Sequence, residues 1–314
     1  MQRIGFVVPD GFQMVGLAAQ SVFEFANDAA GKQVYKIHVL SEDGRPVRSS
    51  LGITLHSEAF SRTAFDTLIV NGTSDSKPTI TPRLLQFLRL GLKRSRRVAS
   101  ICTGAFVLAE TGALDGRRAT THWFYSRELQ QRFPKIKVED DRIFIVDGAV
   151  WTSAGATAGL DLALAMVEKD LGTEVARSTA QKLVMQHRRA GGQSQHSELL
   201  ALSPKSDRIQ NALAYAEKHL RNELPIEKLA EVASLSVRQF SRAFQKETGQ
   251  SPAKAVERLR LESARLMIEQ TRHPIGVVAR ETGFKDRRRM REAFLRSFGL
   301  PPQTFRHNTR ERAL

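Results

Sequence analysis

The sequence predicts a chain in two parts: an α/β domain built on a parallel sheet, then an all-α domain carrying two helix-turn-helix units. Three observations predict it. Apolar, β-branched runs alternate with helix-period segments through the first half, the pattern of buried strands covered by helices. A stretch rich in Gly, Ser and Gln then intervenes, and no strand signal follows it. Between Ile226 and Arg306 one helical pattern is written twice.

Composition narrows the partners. A chain of 314 residues suits roughly two ordinary domains, and 41% hydrophobic content supplies real cores. Lys and Arg outnumber Asp and Glu by 48 to 33, a net charge of +15, which favours a polyanion such as nucleic acid or an anionic membrane surface. No apolar run approaches the roughly 20 residues that span a bilayer. The opening MQRIGFVVPDG reads as a buried strand rather than a secretory leader. Cys102 is the one cysteine, so no intrachain disulfide forms. A cytoplasmic, bacterial protein is expected, associated with the nucleoid when bound to DNA, with no membrane partner, metal or cofactor.

In order, strands are expected over 4–8, 37–40, 67–70 and 98–101, and helices over about 18–29, over 84–93 and after Gly104. The runs 143–147 and 150–153, separated by a Gly-containing turn, suggest a hairpin. Helices follow over 158–171 and 173–188. The segment 189–206 reads as a linker, which leaves domains 1–188 and 207–314.

The repeat is IEKLAEVASLSVRQFSRAFQKETGQSP, then IGVVARETGFKDRRRMREAFLRSFGLPP. Ile226 matches Ile275, Leu229 matches Val278 and Ala230 matches Ala279. After one extra residue, Phe240 matches Met290, Phe244 matches Phe294, Gly249 matches Gly299 and Pro252 matches Pro302. A short helix, a turn and a second amphipathic helix make a helix-turn-helix unit. In the first unit Leu235-Ser236 forms the turn, with Ser236 as N-cap. Phe240, Ala243 and Phe244 point inward, and Arg238, Gln239, Ser241 and Arg242 face solvent near the helix start, where base edges are met. In the second, Gly283-Phe284 supplies the turn and Asp286 the cap. Met290, Ala293 and Phe294 face the core, and Arg287, Arg288, Arg289 and Arg291 crowd the other faces. A connecting helix over 253–270 spans roughly 27 Å at 1.5 Å per residue, so the two recognition helices can enter successive major-groove segments.

Phe244, Gly249, Ser251-Pro252, Leu259-Arg260-Leu261, Ala264, Gly283-Phe284, Phe294, Phe298-Gly299, Pro302 and Arg306 together resemble the AraC/XylS family of transcription regulators. Pro301-Pro302 departs from the commoner small residue plus proline. The resemblance places Arg238, Ser241, Arg242, Arg287, Arg288 and Arg291 at base- and phosphate-contacting positions.

Cys102 follows the strand over 98–101 and precedes Gly104-Ala105, which open a helix. A thiol at such a turn meets the positive end of the helix dipole and would ionise more easily; the alternative is a buried small residue. The segment SICTGAFVLAETGALDGRRATTHW resembles the PfpI-type branch of the class I glutamine amidotransferase-like superfamily. It is more similar still to the sensor domains of AraC-family regulators that carry this fold. The resemblance implies a flavodoxin-like parallel sheet and a ligand-sensing, dimerising domain. Its catalytic parts are depleted in this chain. The hydrolytic members carry His after the Cys, where this chain has Thr103. The stretch FQMVGLAAQ lacks the expected acid, and SAGATAGLDLALAMVE lacks the His-x-Glu pair. His122 is the one base nearby in sequence.

A ligand in a parallel sheet sits outside the carboxyl ends of the strands. The candidates on that rim are Phe12, Asn71, Gly72, Cys102, Thr103 and His122, with Trp123 and Trp151 either walls of the site or core. The reading is therefore a sequence-specific regulator, an activator, that binds promoter DNA as a homodimer, contacts RNA polymerase and answers to a small effector. The resemblance suggests an amino acid or quaternary amine. The alternatives are a cysteine-dependent hydrolase or lyase with a DNA-binding appendage, a nonspecific nucleoid binder, and a redox sensor at Cys102.

Overall fold

Apolar strands covered on both faces account for the sheet of the first half. The computed structural model describes residues 1–185, 189, 191, 195, 202, 206–271 and 273–304, and the chain divides into two units, Met1–Gln195 and His196–Leu314. The first unit runs β1 (Gln2–Val7), α1 (Met14–Ala30), β2 (Tyr35–Ser41), β3 (Val47–Arg48), β4 (Thr54–Leu55), β5 (Glu58–Ala59), β6 (Thr67–Val70), α2 (Pro82–Arg94), β7 (Arg97–Ile101) and α3 (Gly104–Glu110). It continues with β8 (Arg118–Ala119), α4 (Trp123–Arg132), β9 (Lys137–Val138), β10 (Phe144–Asp147), β11 (Val150–Ser153), α5 (Thr157–Leu171) and α6 (Thr173–Lys182).

Seven strands form the main sheet in the order β10-β11-β7-β6-β1-β2-β5. Every neighbouring pair is parallel except the β10–β11 hairpin. Every residue of β6 and β7 is buried, which is why neither strand alternates in sequence. Helices α1, α5 and α6 cover one face through Phe23, Leu162, Met166 and Ala176, against Ile4, Phe6 and Trp151. Helices α2 and α3 cover the other through Leu88 and Phe106, against Val7, Leu68, Val70 and Val98. The chain leaves β1 for β2 on one side and later enters β6 on the other, so the order reverses between β1 and β6.

A buried polar group ties β2, β7 and α5 together. Asp170, at the end of α5, accepts hydrogen bonds from Arg96, Arg97 and Tyr35. Burial works to raise the Asp170 pKa, and the hydrogen bonds from Arg96 and Arg97 overcome it, so the carboxyl stays below its ordinary value. Arg97 also lies 5.5 Å over the Trp151 ring. Trp151 is thereby core, whereas Trp123 is 47% exposed.

Local departures from expectation have local causes. The helix expected over 173–188 ends at Lys182, and Val184 turns to φ 55°, a left-handed setting unfavourable for a β-branched residue; 186–188 lie outside the described residues. Helix α4 has no counterpart among the expected elements, since its apolar spacing is broken by Arg127, Glu128 and Arg132. The expected linker falls largely outside the described residues. Within it, Arg189 bonds Asp161 and Gln195 bonds Thr121 and Asp141, all in the first unit.

The second unit is helical among the described residues: α7 (Asp207–Lys218), α8 (Ile226–Val232), α9 (Val237–Thr248), α10 (Pro252–Gln270), α11 (Ile275–Glu281) and α12 (Arg287–Phe298). It has two cores. Ile209, Leu213, Leu229, Phe240 and Phe244 build one, and Val278, Met290, Ala293 and Phe294 the other. Helix α10 serves both, giving Ala255, Val256 and Leu259 to the first and Leu261, Ala264 and Ile268 to the second. Among the described residues no helix is long and apolar enough to cross a membrane.

Adjacent positions on α12 test this packing. Phe294 is fully buried and Leu295 is exposed. Phe294→Ala is expected to cost about 3–5 kcal/mol and Leu295→Ala about 0.5 kcal/mol or less, read by urea unfolding of the helical signal. Equal costs would contradict this register of the helix against its core.

Candidate functional site

The two helix-turn-helix units turn at equivalent places. In the first, Ser234 takes φ 53°; in the second, Gly283 takes φ 79°. A Cβ at Gly283 would stand 1.8 Å from the Leu220 carbonyl and 2.7 Å from Arg260 Nε, so glycine is required there and serine suffices in the first copy. Arg260, from α10, donates Nε to Leu220 O at 3.1 Å and Nη2 to Asn222 O at 2.8 Å. The chain before α8 and the second turn therefore both close on one guanidinium of the connecting helix.

Both recognition helices begin with a side-chain cap. Ser236 caps α9 in a capping box with Gln239, whose Oε1 accepts from Ser236 N at 3.1 Å. Asp286 caps α12, accepting from Arg289 N at 2.8 Å. That backbone hydrogen bond, first among the causes, holds the Asp286 carboxyl below its usual range. Phe240 and Phe244 on α9 and Met290, Ala293 and Phe294 on α12 are buried. Arg238 and Arg242, and Arg287, Arg288, Arg289 and Arg291, are exposed. Arg288 lies 4.0 Å from Glu292, a long and exposed pair that leaves the guanidinium available. Two expected DNA contacts sit differently. The Gln239 oxygen serves the cap, and the Ser241 hydroxyl donates back to Val237 O at 2.8 Å. A sequence motif, Ser with Gln three residues later, carried the signal for the cap.

In the first unit, Cys102 sits between β7 and α3 at φ 56°. Such a setting strains a non-glycine residue and persists only where neighbours enforce it. They do: Cys102 N donates to Ser153 O at 3.0 Å, and Thr121 Oγ1 donates to Cys102 O at 2.8 Å. Gly155, φ 91°, lies across the thiol, since a Cβ there would be 2.4 Å from Cys102 Cβ and 3.0 Å from Sγ. Of the two readings of Cys102, the buried small residue fits better than the easily ionised thiol. Cys102 is 6% exposed, and burial, the largest cause, raises its pKa against the lowering hydrogen bonds of Thr103. Helix α3 is only seven residues long, so its end contributes little dipole.

The groups beside Cys102 that hydrolysis would draw on are engaged in other contacts. Thr103 Oγ1 donates to Thr73 O at 2.9 Å and accepts from Thr73 N at 2.8 Å. His122 caps α4, its Nδ1 accepting from Phe124 N at 3.3 Å. In α1, Gly16 faces the Asn71 carboxamide, and a Cβ there would stand 1.8 Å from Asn71 Oδ1. No acidic side chain fits at that point of the helix. Asn71 Nδ2 donates to Gln13 O at 3.1 Å, while its buried Oδ1 has no partner among the described residues. Phe12 is fully buried against Val8 and Val47. The structure thus brings Phe12, Asn71, Gly72, Cys102 and Thr103 onto one rim, with His122 beside Thr121. The first five are buried against their neighbours and give a ligand little surface.

The sealed thiol has a measurable consequence. Iodoacetamide is expected to alkylate native Cys102 at least about tenfold more slowly than the unfolded chain at pH 8, because thiolate is the nucleophile. The folded chain keeps a proton that the unfolded chain releases near about pH 8.5. Stability should therefore fall as pH rises through that value. Equal alkylation rates folded and unfolded would refute the closed elbow.

Two family models match the chain: the DJ-1/PfpI family over residues 2–169 and a helix-turn-helix domain over 229–308. The chain is 31% identical over 306 residues to the HTH-type transcriptional regulator GbdR of Pseudomonas aeruginosa, covering 96% of this chain and 83% of that protein. It is 34% identical over 145 residues to an isonitrile hydratase of Pseudomonas putida, covering 45% of this chain and 62% of that enzyme. An AraC family transcriptional regulator from Pseudomonas putida shares the fold over 58% of this chain and all of the other, with a TM-score of 0.54 at 24% identity. The match to the regulator runs through both units, while the match to the enzyme covers less than half of the chain. With both family models matched in this order and the regulator matched over 96% of the chain, the chain belongs to the AraC-type helix-turn-helix transcription regulators that carry a DJ-1/PfpI domain.

Proposed function

We propose that this regulator binds specific promoter sites as a homodimer and activates transcription through RNA polymerase when its first unit binds a small effector. The observation that carries the reading is the double row of exposed arginines on α9 and α12, each helix held by its own core and its own cap. Arg238, Arg242, Arg287, Arg288 and Arg291 are the proposed contacts to bases and phosphates, with Ser241 and the amide of Gln239 as secondary ones. A dimer presents four helix-turn-helix units to two half-sites. The occupied Thr103 and the Gly16–Asn71 contact favour a sensor over a cysteine hydrolase. A nitrogenous metabolite, an amino acid or quaternary amine, is the proposed effector class.

Footprinting tests the DNA reading. Arg242→Ala and Arg288→Ala are each expected to cost about 1–3 kcal/mol of specific binding, with unchanged unfolding because both side chains are exposed. Normal footprints from both variants would sink it. Affinity uniform across sequences, with a steep salt dependence, would instead indicate a nonspecific nucleoid binder. A turnover of isonitrile that disappears in Cys102→Ser would restore the enzyme reading.

A further inference from the structure

The first unit has a cavity of about 250 Å³ that none of the expected ligand residues lines. It opens at the carboxyl ends of β1, β2 and β6. Its wall is apolar: Val7 and Val70 from adjacent strands, Val47, Phe60, Leu84 from α2 and Val107 from α3. It straddles β1 and β6, where the strand order reverses, and ligands of open α/β sheets bind outside the strand ends at that switch point. Its size suits a metabolite rather than a macromolecule.

Charge decides the ligand class. Asp10, Glu42, Asp43 and Arg45 stand on the lining. Asp43 and Arg45 satisfy each other, with Nε 2.9 Å from Oδ2. Glu42 accepts from Thr81 Oγ1 at 2.6 Å, and Thr81 is the N-cap of α2, accepting from Leu84 N at 3.1 Å. That link fixes the Glu42 carboxylate at the cavity. Asp10 is exposed and has no hydrogen-bond or ion-pair partner among the described residues. Two carboxylates with no cation of their own among the described residues thus border an apolar wall, in a chain whose net charge is +15. Carboxylates beside an apolar surface favour a cation with an apolar body and disfavour an anion.

We propose that this cavity, rather than the Cys102 elbow, is the effector site, and that it takes a small organic cation whose charge lies between Asp10 and Glu42 with its carbon skeleton against Val7, Val70 and Leu84. The proposal rests on the reading of the first unit as a sensor.

Equilibrium dialysis of the full chain with choline, agmatine and phenethylamine tests it, beside neutral isosteres such as 3,3-dimethylbutan-1-ol for choline. At least one cation should bind saturably and about tenfold or more tighter than its isostere. Glu42→Gln keeps an acceptor for Thr81, and Asp10→Asn alters an exposed side chain; each should weaken binding about tenfold. Cys102→Ser should leave it unchanged. The site is overturned if no cation outbinds its neutral isostere, or if binding survives the double change Asp10→Asn/Glu42→Gln. Promoter footprints repeated with the bound cation separate the two ideas. Binding without any change in occupancy or transcription removes the sensor reading and keeps the ligand site. A regulator that responds to cell metabolites but binds none of the cations keeps the sensor and removes this cavity as its site.

Discussion

Crowding at the turn between β7 and α3 is the constraint on which the first unit depends. Cys102 is held at a positive φ by Ser153 and Thr121, Gly155 is pressed onto its thiol, and Thr103 is locked to Thr73. These contacts join the β6, β7 and β11 ends and the loop before α4 into one packed rim. The strain that a nucleophile would use is retained, yet the groups that would use it are engaged elsewhere. A strained backbone at a strand-to-helix turn is therefore compatible with a purely structural role when its surroundings close over it.

The same closure shapes what the unit can bind. With the elbow filled, open space at the strand ends lies over the apolar ends of β1 and β6, beside the mouth formed after β2. There the charged groups are Asp10, Glu42, Asp43 and Arg45 rather than a thiol or an imidazole. A fold shared with enzymes can thus present a binding site without a catalytic one, because site chemistry is set by side chains at the rim and not by the sheet beneath.

In the second unit burial and recognition are kept on separate faces. Phe240, Phe244, Met290 and Phe294 supply the two cores, and the arginines of α9 and α12 take no part in them. Substituting a recognition-face arginine is therefore expected to leave the fold intact, and truncating a buried phenylalanine to destabilise it. Helix α10 contributes to both cores, and Arg260 fastens the loop before α8 beside the second turn. The spacing of the two recognition helices is consequently set by one continuous element.

Much of this was legible in the residues alone. The repeat in 226–306 specified two helix-turn-helix units, because turn, cap and core positions recur at fixed spacing and helix geometry is local. Alternating apolar runs specified a parallel sheet, because a strand covered on both faces must be apolar throughout. The missing acid in α1 was visible in the stretch FQMVGLAAQ, although the contact that leaves no room at Gly16, the Asn71 carboxamide, comes from a distant strand end. What only the tertiary structure decided were matters of contact between distant segments: that Gly155 covers Cys102 and burial raises its pKa, that Trp151 is core beside Arg97, and that Asp10 and Glu42 border one cavity. Period and composition report which face of an element is buried; they carry no information on which side chains from other elements meet there, and ionisation and binding depend on those meetings.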